Sequence, residues 1–329
     1  MAEGTSAAAA RDHRIGFALS LVPALLWGLL PVAVAGLGRT MDGVTLTWYR
    51  FCFACAVQTL LLAMTARLRG LFAHRGRDLL LILATAVGLV VNFAAFASSL
   101  RYVPASTAQT FGQSQPVLLT IGAAVIFHER LSAAQIAGSI VLVAGLVIFF
   151  ADRFAVQGVS ATDLAKGFGL VTLATVLWVS AALAQKALGP TVPSTHTLWY
   201  VYAVGALFLI PLATPSQLLA LHGVTTALFI FCCFNTLFAY GAFGLAVRRW
   251  AAARVSAVVA LAPLVTYLTE HFASRRAPGA LLVTDWSPVK IAGACLVIAG
   301  AMVTALGRAA PVSGRPESRP SSESRPASS

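Results

Sequence analysis

A small set of polar and ionisable side chains interrupts the apolar stretches of this chain, and their types set the chemistry available. Arg50 carries a permanent positive charge, and Glu270 is a carboxylate in a similar apolar setting. Gln109 and Gln113 are four residues apart and Pro116 follows three later, so the three share one helix face. That face presents two amides beside a helix-breaking proline, an arrangement suited to hydrogen-bonding a polar solute. Asn92, Asn235 and Tyr240 extend the set. Arg50 can take an anionic group of a solute, pair with Glu270, or snorkel to lipid headgroups. The amides can serve a solute or bond helix to helix. Glu270 is the one candidate to carry a coupling proton. Trp27 and Trp178 read as packing residues, and His196 and His271 as interfacial ones.

Catalytic and metal chemistry find no comparable set. Cys52 and Cys55 have the C-x-x-C spacing, but no His or carboxylate accompanies them in their own span, so packing is the favoured reading. There is no H-E-x-x-H and no phosphate-binding glycine loop. No enzyme activity, cofactor or metal is expected.

These residues must be positioned by elements that suit lipid. Of 329 residues, 58% are hydrophobic and 10% charged, against roughly 25% charged in soluble domains. A water-soluble fold could not cover that much apolar surface. The net charge of +12 lies in short loops between apolar runs rather than in a stripe with interleaved aromatics. This is an orientation signal, and nucleic acid is not an expected partner. The expected partners are a small-molecule solute and the bilayer, with a homodimer left open.

Ten apolar runs approach the roughly 20 residues a crossing helix needs. They cover 16–37, 44–64, 79–100, 104–127, 133–150, 167–187, 196–213, 227–247, 251–273 and 289–307. The seventh is the weakest, because Pro211 and Pro215 crowd its end. With the N-terminus inside, fifteen of the 23 Lys and Arg residues fall on the cytoplasmic side, which predicts both termini there. Residues 1–15 form an N-terminal segment, 151–166 a connecting loop, and 308–329 a Pro/Ser/Arg/Glu-rich tail with the composition of a disordered segment.

The runs repeat. Leu26-Trp27 and Trp48-Tyr49 recur at Leu177-Trp178 and Trp199-Tyr200, 151 residues on. Arg101 and Pro116 recur at Arg248 and Pro263, 147 on, and Ile136-Ala137-Gly138 recurs at Ile291-Ala292-Gly293, 155 on. Five spans per half is odd, so the second half must insert upside down. The loop charges agree, since Arg67, Arg69, Arg75 and Arg77 follow span two but no Lys or Arg follows span seven. The predicted fold is all-α, with ten transmembrane helices in two inverted five-helix repeats, 16–150 and 167–307. Inverted repeats suit a carrier that exchanges two access states about a central site. Gly138/Gly145 and Gly293/Gly300 let spans five and ten pack closely, and Pro116 and Pro263 predict paired helix kinks. Ser132 and Gln135 form a capping box for span five.

The chain resembles the EamA-type branch of the drug/metabolite transporter superfamily over residues 15–307. The resemblance is carried by Leu-Trp-Gly (26–28), Trp-Tyr-Arg-Phe (48–51), Gln-Pro (115–116), His-Glu-Arg-Leu-Ser (128–132), Ala-Gln-Lys (184–186), Asn-Thr-Leu-Phe-Ala-Tyr-Gly-Ala-Phe (235–243) and Arg-Val-Ser-Ala-Val (254–258). It implies a ten-helix alternating-access exporter or exchanger of a metabolite or drug-like solute in the cytoplasmic membrane. A channel-like permease, a non-transporting subunit and a lipid-modifying enzyme are the competing readings. One departure stands out. The first half has Glu129 thirteen residues after its proline, while the matching second-half position is Arg276 and the nearest carboxylate is Glu270.

Overall fold

The computed structural model describes residues 2–66, 68–151, 159–189, 192–284 and 287–307, with side chains from residue 14 onward except that of residue 69. Every regular element among them is helical. In chain order these are α1 (Ala2–Leu37), α2 (Gly43–Met64), the short α3 (Leu68–Leu71), α4 (Gly76–Ser99), α5 (Ala105–Gly112), α6 (Gln115–Phe127), α7 (Ala133–Ala151), α8 (Ala161–Leu188), α9 (Ser194–Phe208), α10 (Val224–Arg249), α11 (Ala252–Val259), α12 (Ala262–Arg276) and α13 (Pro288–Leu306). Nine segments among the described residues are long and apolar enough to cross a membrane, counting α5 with α6 and α11 with α12 as one segment each. The expected tail 308–329 and residues 152–158 of the connecting loop lie outside the described residues.

The seventh run departs from its expected length. Helix α9 has 15 residues, which at 1.5 Å each is about 22 Å, short of a bilayer core of about 30 Å. The prolines are the physical cause. Pro211 falls in a 3-10 turn, Ile210–Leu212, and Pro215 opens a second one, Pro215–Ala220.

Local chemistry fixes several helix starts. Asp42 caps α2 by accepting from Val44 N and Thr45 N, each at 2.9 Å. Ser132 and Gln135 form a reciprocal capping box at α7, with bonds of 2.9 and 3.1 Å.

The prolines of spans four and nine each follow a disturbed stretch of helix. Helix α5 ends at Gly112, and α6 restarts at Gln115 with Pro116 in its first turn. Helix α11 ends at Val259, and α12 restarts at Ala262 with Pro263 in its first turn. A proline has no N–H to donate, so it is tolerated where first-turn N–H groups lack helical partners anyway. Each span is therefore disturbed for two residues ahead of its proline, where the backbone stays right-handed helical and tightens to i→i+3 bonds.

Cross-half contacts hold the bundle together. Helices α7 and α13 run antiparallel, because a Cβ on Gly145 would stand 2.9 Å from Gly293 O and one on Gly300 would stand 2.7 Å from Gly138 O. Side chains at these positions would strike backbone, which is the reason for four glycines. Helices α2 and α9 pair through their Trp-Tyr dipeptides. Trp48 Nε1 donates to Ala206 O (2.9 Å) and Trp199 Nε1 to Thr59 Oγ1 (2.8 Å). Tyr49 OH donates to Pro215 O and Tyr200 OH to Leu71 O, both at 2.9 Å. The repeated dipeptide is thus a reciprocal clamp. Helix α4 packs on α8, and α10 on α1, so the third helix of each half lies on the first helix of the other.

Candidate functional site

The residues of the interior divide into two groups. The first surrounds Arg50, which is 3% exposed on α2. Its Nε donates to Thr236 Oγ1 of α10 at 3.0 Å, and its guanidinium carbon lies 5.3 Å from the ring centre of Phe93 on α4. No other acceptor among the described residues takes a hydrogen bond from this guanidinium. The fully occluded side-chain atoms left without a partner are Thr85 Oγ1, Ser114 Oγ and Asn235 Oδ1. The terminal Arg50 nitrogens are not among them, so they are not fully occluded.

Aromatic rings continue from there. Phe93 lies 6.4 Å from Tyr240, Tyr240 lies 5.3 Å from Trp27, and Trp27 lies 5.6 Å from Phe243. All four rings are half-buried, whereas Tyr202 and Phe51 behind them are sealed. Thr236, Tyr240 and Phe243 are spaced four and three apart, so α10 offers them on one face. Trp27, first read as packing, stands in the wall of this group.

The Leu-Trp-Gly motif has a role at each position. Leu26 O accepts from Asn235 Nδ2 at 2.6 Å, and Trp27 faces Tyr240. Gly28 lets α12 approach, since a Cβ there would stand 2.5 Å from Val265 Cβ, and its carbonyl accepts from Thr266 Oγ1 at 2.7 Å. On the opposite side of the bundle, Asn92 Nδ2 donates to Ala174 O at 2.6 Å. Both asparagines are therefore committed to a helix joint in this conformation, and their amide nitrogens are not free for a solute.

The second group surrounds Glu270, 2% exposed on α12. The anticipated pairing with Arg50 does not form. Glu270 Oε2 accepts from Ser106 N (2.8 Å), and Oε1 accepts from Ser106 Oγ (2.8 Å) and Thr284 N (2.9 Å). Helix α5 explains the pull, because its N-cap is Pro104, which has no capping side chain. Its free N–H groups carry the positive end of a helix dipole. Glu270 caps them from another helix. Thr284 Oγ1 lies 2.7 Å from Ser106 Oγ and 2.9 Å from Thr107 Oγ1. Ser106 gives its proton to Glu270, so the chain must run from Thr107 to Thr284 to Ser106 to the carboxylate. The extra length between spans nine and ten is what brings Thr284 here.

Gln109 on α5 and Gln113 just past its end, at the interruption of span four, are half-buried, and neither side chain bonds protein among the described residues. No hydrogen bond among the described residues joins them to the Arg50 group. Cys52 and Cys55 are free thiols one turn apart on α2. Glu129 pairs with Lys186 at 2.7 Å. His196 is buried in the first turn of α9, with Nδ1 3.0 Å from His74 Nε2. Phe93, Thr236, Ser106 and Thr284 were not among the sequence candidates. Thr236 and Phe243 were nevertheless inside the Asn-Thr…Phe motif, and Ser106 and Thr110 share a face of α5 at four-residue spacing.

Proteins similar to this chain in sequence are named as membrane transporters. The EamA-like transporter family model matches residues 14–151 and 165–306. The uncharacterized inner membrane transporter YhbE of Escherichia coli is 35% identical over 294 residues, covering 89% of this chain and 92% of that protein. An uncharacterized transporter of Haemophilus influenzae is 33% identical over 296 residues, covering 89% and 95%. A solved crystal structure 20% identical in sequence has the same fold, with a TM-score of 0.57 over 90% of this chain and 97% of that one. The chain carries two copies of the family's domain and is a multi-pass membrane protein belonging to the EamA-like transporter family.

Proposed function

We propose that the chain is a secondary transporter that exports or exchanges a small solute across the cytoplasmic membrane by alternating access. In this reading ten spans form two inverted five-helix repeats, with both termini cytoplasmic. The short α9 serves as the seventh span, a mismatch a bilayer accommodates by local thinning. The observation that carries the reading is Arg50. A buried guanidinium is costly unless paired, and here it holds one neutral protein partner across the joint between α2 and α10. A solute's anionic group supplies the missing partner. Tyr240, and Gln109 and Gln113 at the break in span four, contribute hydrogen bonds to the solute, and the breaks before Pro116 and Pro263 are the flexing points. Asn92 and Asn235 act as struts that keep the third helix of each half on the first helix of the other.

Glu270 is the coupling group of this proposal. Protonation would weaken its cap on α5 and free α12 to move. Transport dependent on a proton gradient in proteoliposomes should lose that dependence in Glu270→Gln, and an unchanged dependence removes Glu270 from coupling. Carrier and channel separate in a counterflow assay, once a metabolite-library thermal-shift screen supplies a ligand. Preloaded vesicles should accumulate labelled ligand transiently, and simple equilibration without overshoot contradicts a carrier.

A further inference from the structure

The Arg50 group has a composition that selects among solutes. Resting on the transport reading of that site, we infer that the solute is an organic monoanion with a planar apolar body and no ammonium group.

Arg50 is the cation of the group, and the salt bridges among the described residues, Lys166–Asp163 and Lys186–Glu129, lie elsewhere. Glu270 is occupied by Ser106 and Thr284. One buried positive charge balances one negative charge. A dianion would bring a second charge into a low-dielectric site with nothing to pair it. An ammonium group would meet a guanidinium and no carboxylate, which disfavours cations and zwitterions alike.

Trp27, Phe93, Tyr240 and Phe243 come from three helices, and all four residues are half-buried rather than sealed. Phe93 stands beside the guanidinium, so a carboxylate on Arg50 places the carbon skeleton of its own molecule among the rings. Aromatic pairs prefer a planar partner at ring-centre separations of about 4.5–7 Å. An aliphatic anion of the size of acetate would use the charge and leave the rings unused.

The test uses the purified full-length protein in detergent and four probes: 2-naphthoate, acetate, 2,6-naphthalenedicarboxylate and tryptophan. Binding is read by calorimetry, and counterflow of each probe is read in proteoliposomes. 2-Naphthoate should bind at least about tenfold tighter than each of the others, the scale of one charge-assisted bond or two ring contacts. Arg50→Gln should weaken it about ten- to hundredfold. Arg50→Lys keeps the charge but not the planar fork, so it should weaken binding less and retain the order of probes. It also covers the case in which the Gln variant does not fold. Phe93→Leu should narrow the gap between 2-naphthoate and acetate about two- to tenfold. Equal or tighter binding of tryptophan, the dianion or acetate overturns the solute class. If tryptophan instead shows Arg50-dependent counterflow, the class fails while the transport reading stands. Arg50-dependent binding of 2-naphthoate together with an absence of counterflow for any probe leaves the class standing and removes the transport reading. Binding of 2-naphthoate that Arg50→Gln leaves unchanged is partition into detergent and overturns the inference.

Discussion

Helices α5 and α12 meet at the Glu270 end of the molecule, and by repeat position the same meeting is due at the other end between α11 and α6. The two ends differ. Helix α5 packs against α12, while α11 makes at most a grazing contact with α6. The residues account for this. At offset 147, Glu270 corresponds to Ala123, Ser106 to Ala253 and Thr110 to Ala257. The loop that delivers Thr284 also has its extra length on one side alone. A continuous apolar cluster running from Leu37 and Leu46 to Val103, Ala105 and Val171 closes the Glu270 end, with Ala273 and Leu281 packed against it. The opposite end has two small clusters, around Ile82 and Leu188 and around Ala123 and Leu183. Its Lys186–Glu129 pair is 42% and 38% exposed, and exposed pairs hold little. One architecture repeated twice is thus shut by a buried polar network at one end and left loosely packed at the other.

The comparison can be broken most severely at Glu270. Glu270→Leu leaves Ser106 N and Thr284 N without an acceptor, and a buried unmet donor costs about 1–3 kcal/mol. Thermal unfolding in detergent should show the largest loss of any variant named here, with Glu270→Gln losing less. In a background without the five native cysteines, a thiol at Val103 should be protected from a membrane-impermeant reagent and become reactive when Glu270→Leu is added. A thiol at Leu183, in the loosely packed end, should react in both backgrounds. Protection of Leu183→Cys equal to that of Val103→Cys would show that the ends do not differ.

Elsewhere the halves should behave alike. Gly145→Leu and Gly293→Leu each drive a side chain into the facing backbone of the α7–α13 pair, where the first Cβ already meets backbone nitrogen at 2.6 Å. Overpacking of this kind costs about 1–3 kcal/mol, and the two thermal shifts should be similar. Trp48→Phe and Trp199→Phe each remove one matched hydrogen bond, worth about 0.5–1.5 kcal/mol. Unequal losses in either pair would mean the antiparallel clamps are not equivalent.

The smallest effect belongs to Asp42. Burial pushes its carboxyl up, and bonds from Thr45 N and Oγ1, Gln217 and Val44 N together outweigh that, holding it below the ordinary 3.8. A folded-state value below the unfolded one stabilises the protein above pH 3.8 and loses that contribution as pH falls through the lower folded value. Unfolding midpoints measured from pH 6 down to pH 3 should therefore drop less steeply in Asp42→Asn. A parallel decline in both proteins would assign acid sensitivity to other groups.

Much of the fold was legible because lipid imposes long apolar runs and because copies of one pattern can be aligned. The Trp-Tyr dipeptides and the glycine pairs were visible as repeats, but that they clamp α2 to α9 and α7 to α13 was not, since neither the groups that Trp48 and Trp199 bond, Ala206 O and Thr59 Oγ1, nor the backbone facing the glycines has a sequence signature. The prolines signalled a disturbed helix. Whether the chain bends or restarts depends on backbone bonds around residues 113–114 and 260–261 that composition does not encode. Arg50 and Glu270 could be found as charges in apolar runs. Their partners could not, because Thr236, Ser106 and Thr284 are common residues brought in from 164 positions away for Ser106 and 186 for Thr236. Asn92 and Asn235 were legible as polar residues in spans, yet an amide that serves a solute and one that serves a carbonyl look the same in sequence.

The central claim is that the two ends exchange states about the Arg50 site. Paired spin labels test it most directly, at Arg101 and Arg276 for the Glu270 end and at His128 and Ala252 for the other. Double electron–electron resonance on the protein in nanodiscs, with and without a ligand found by thermal shift, should give two distances at each end that shift in opposite senses. Distances that stay single and unmoved at both ends, or that lengthen together, would contradict alternating access.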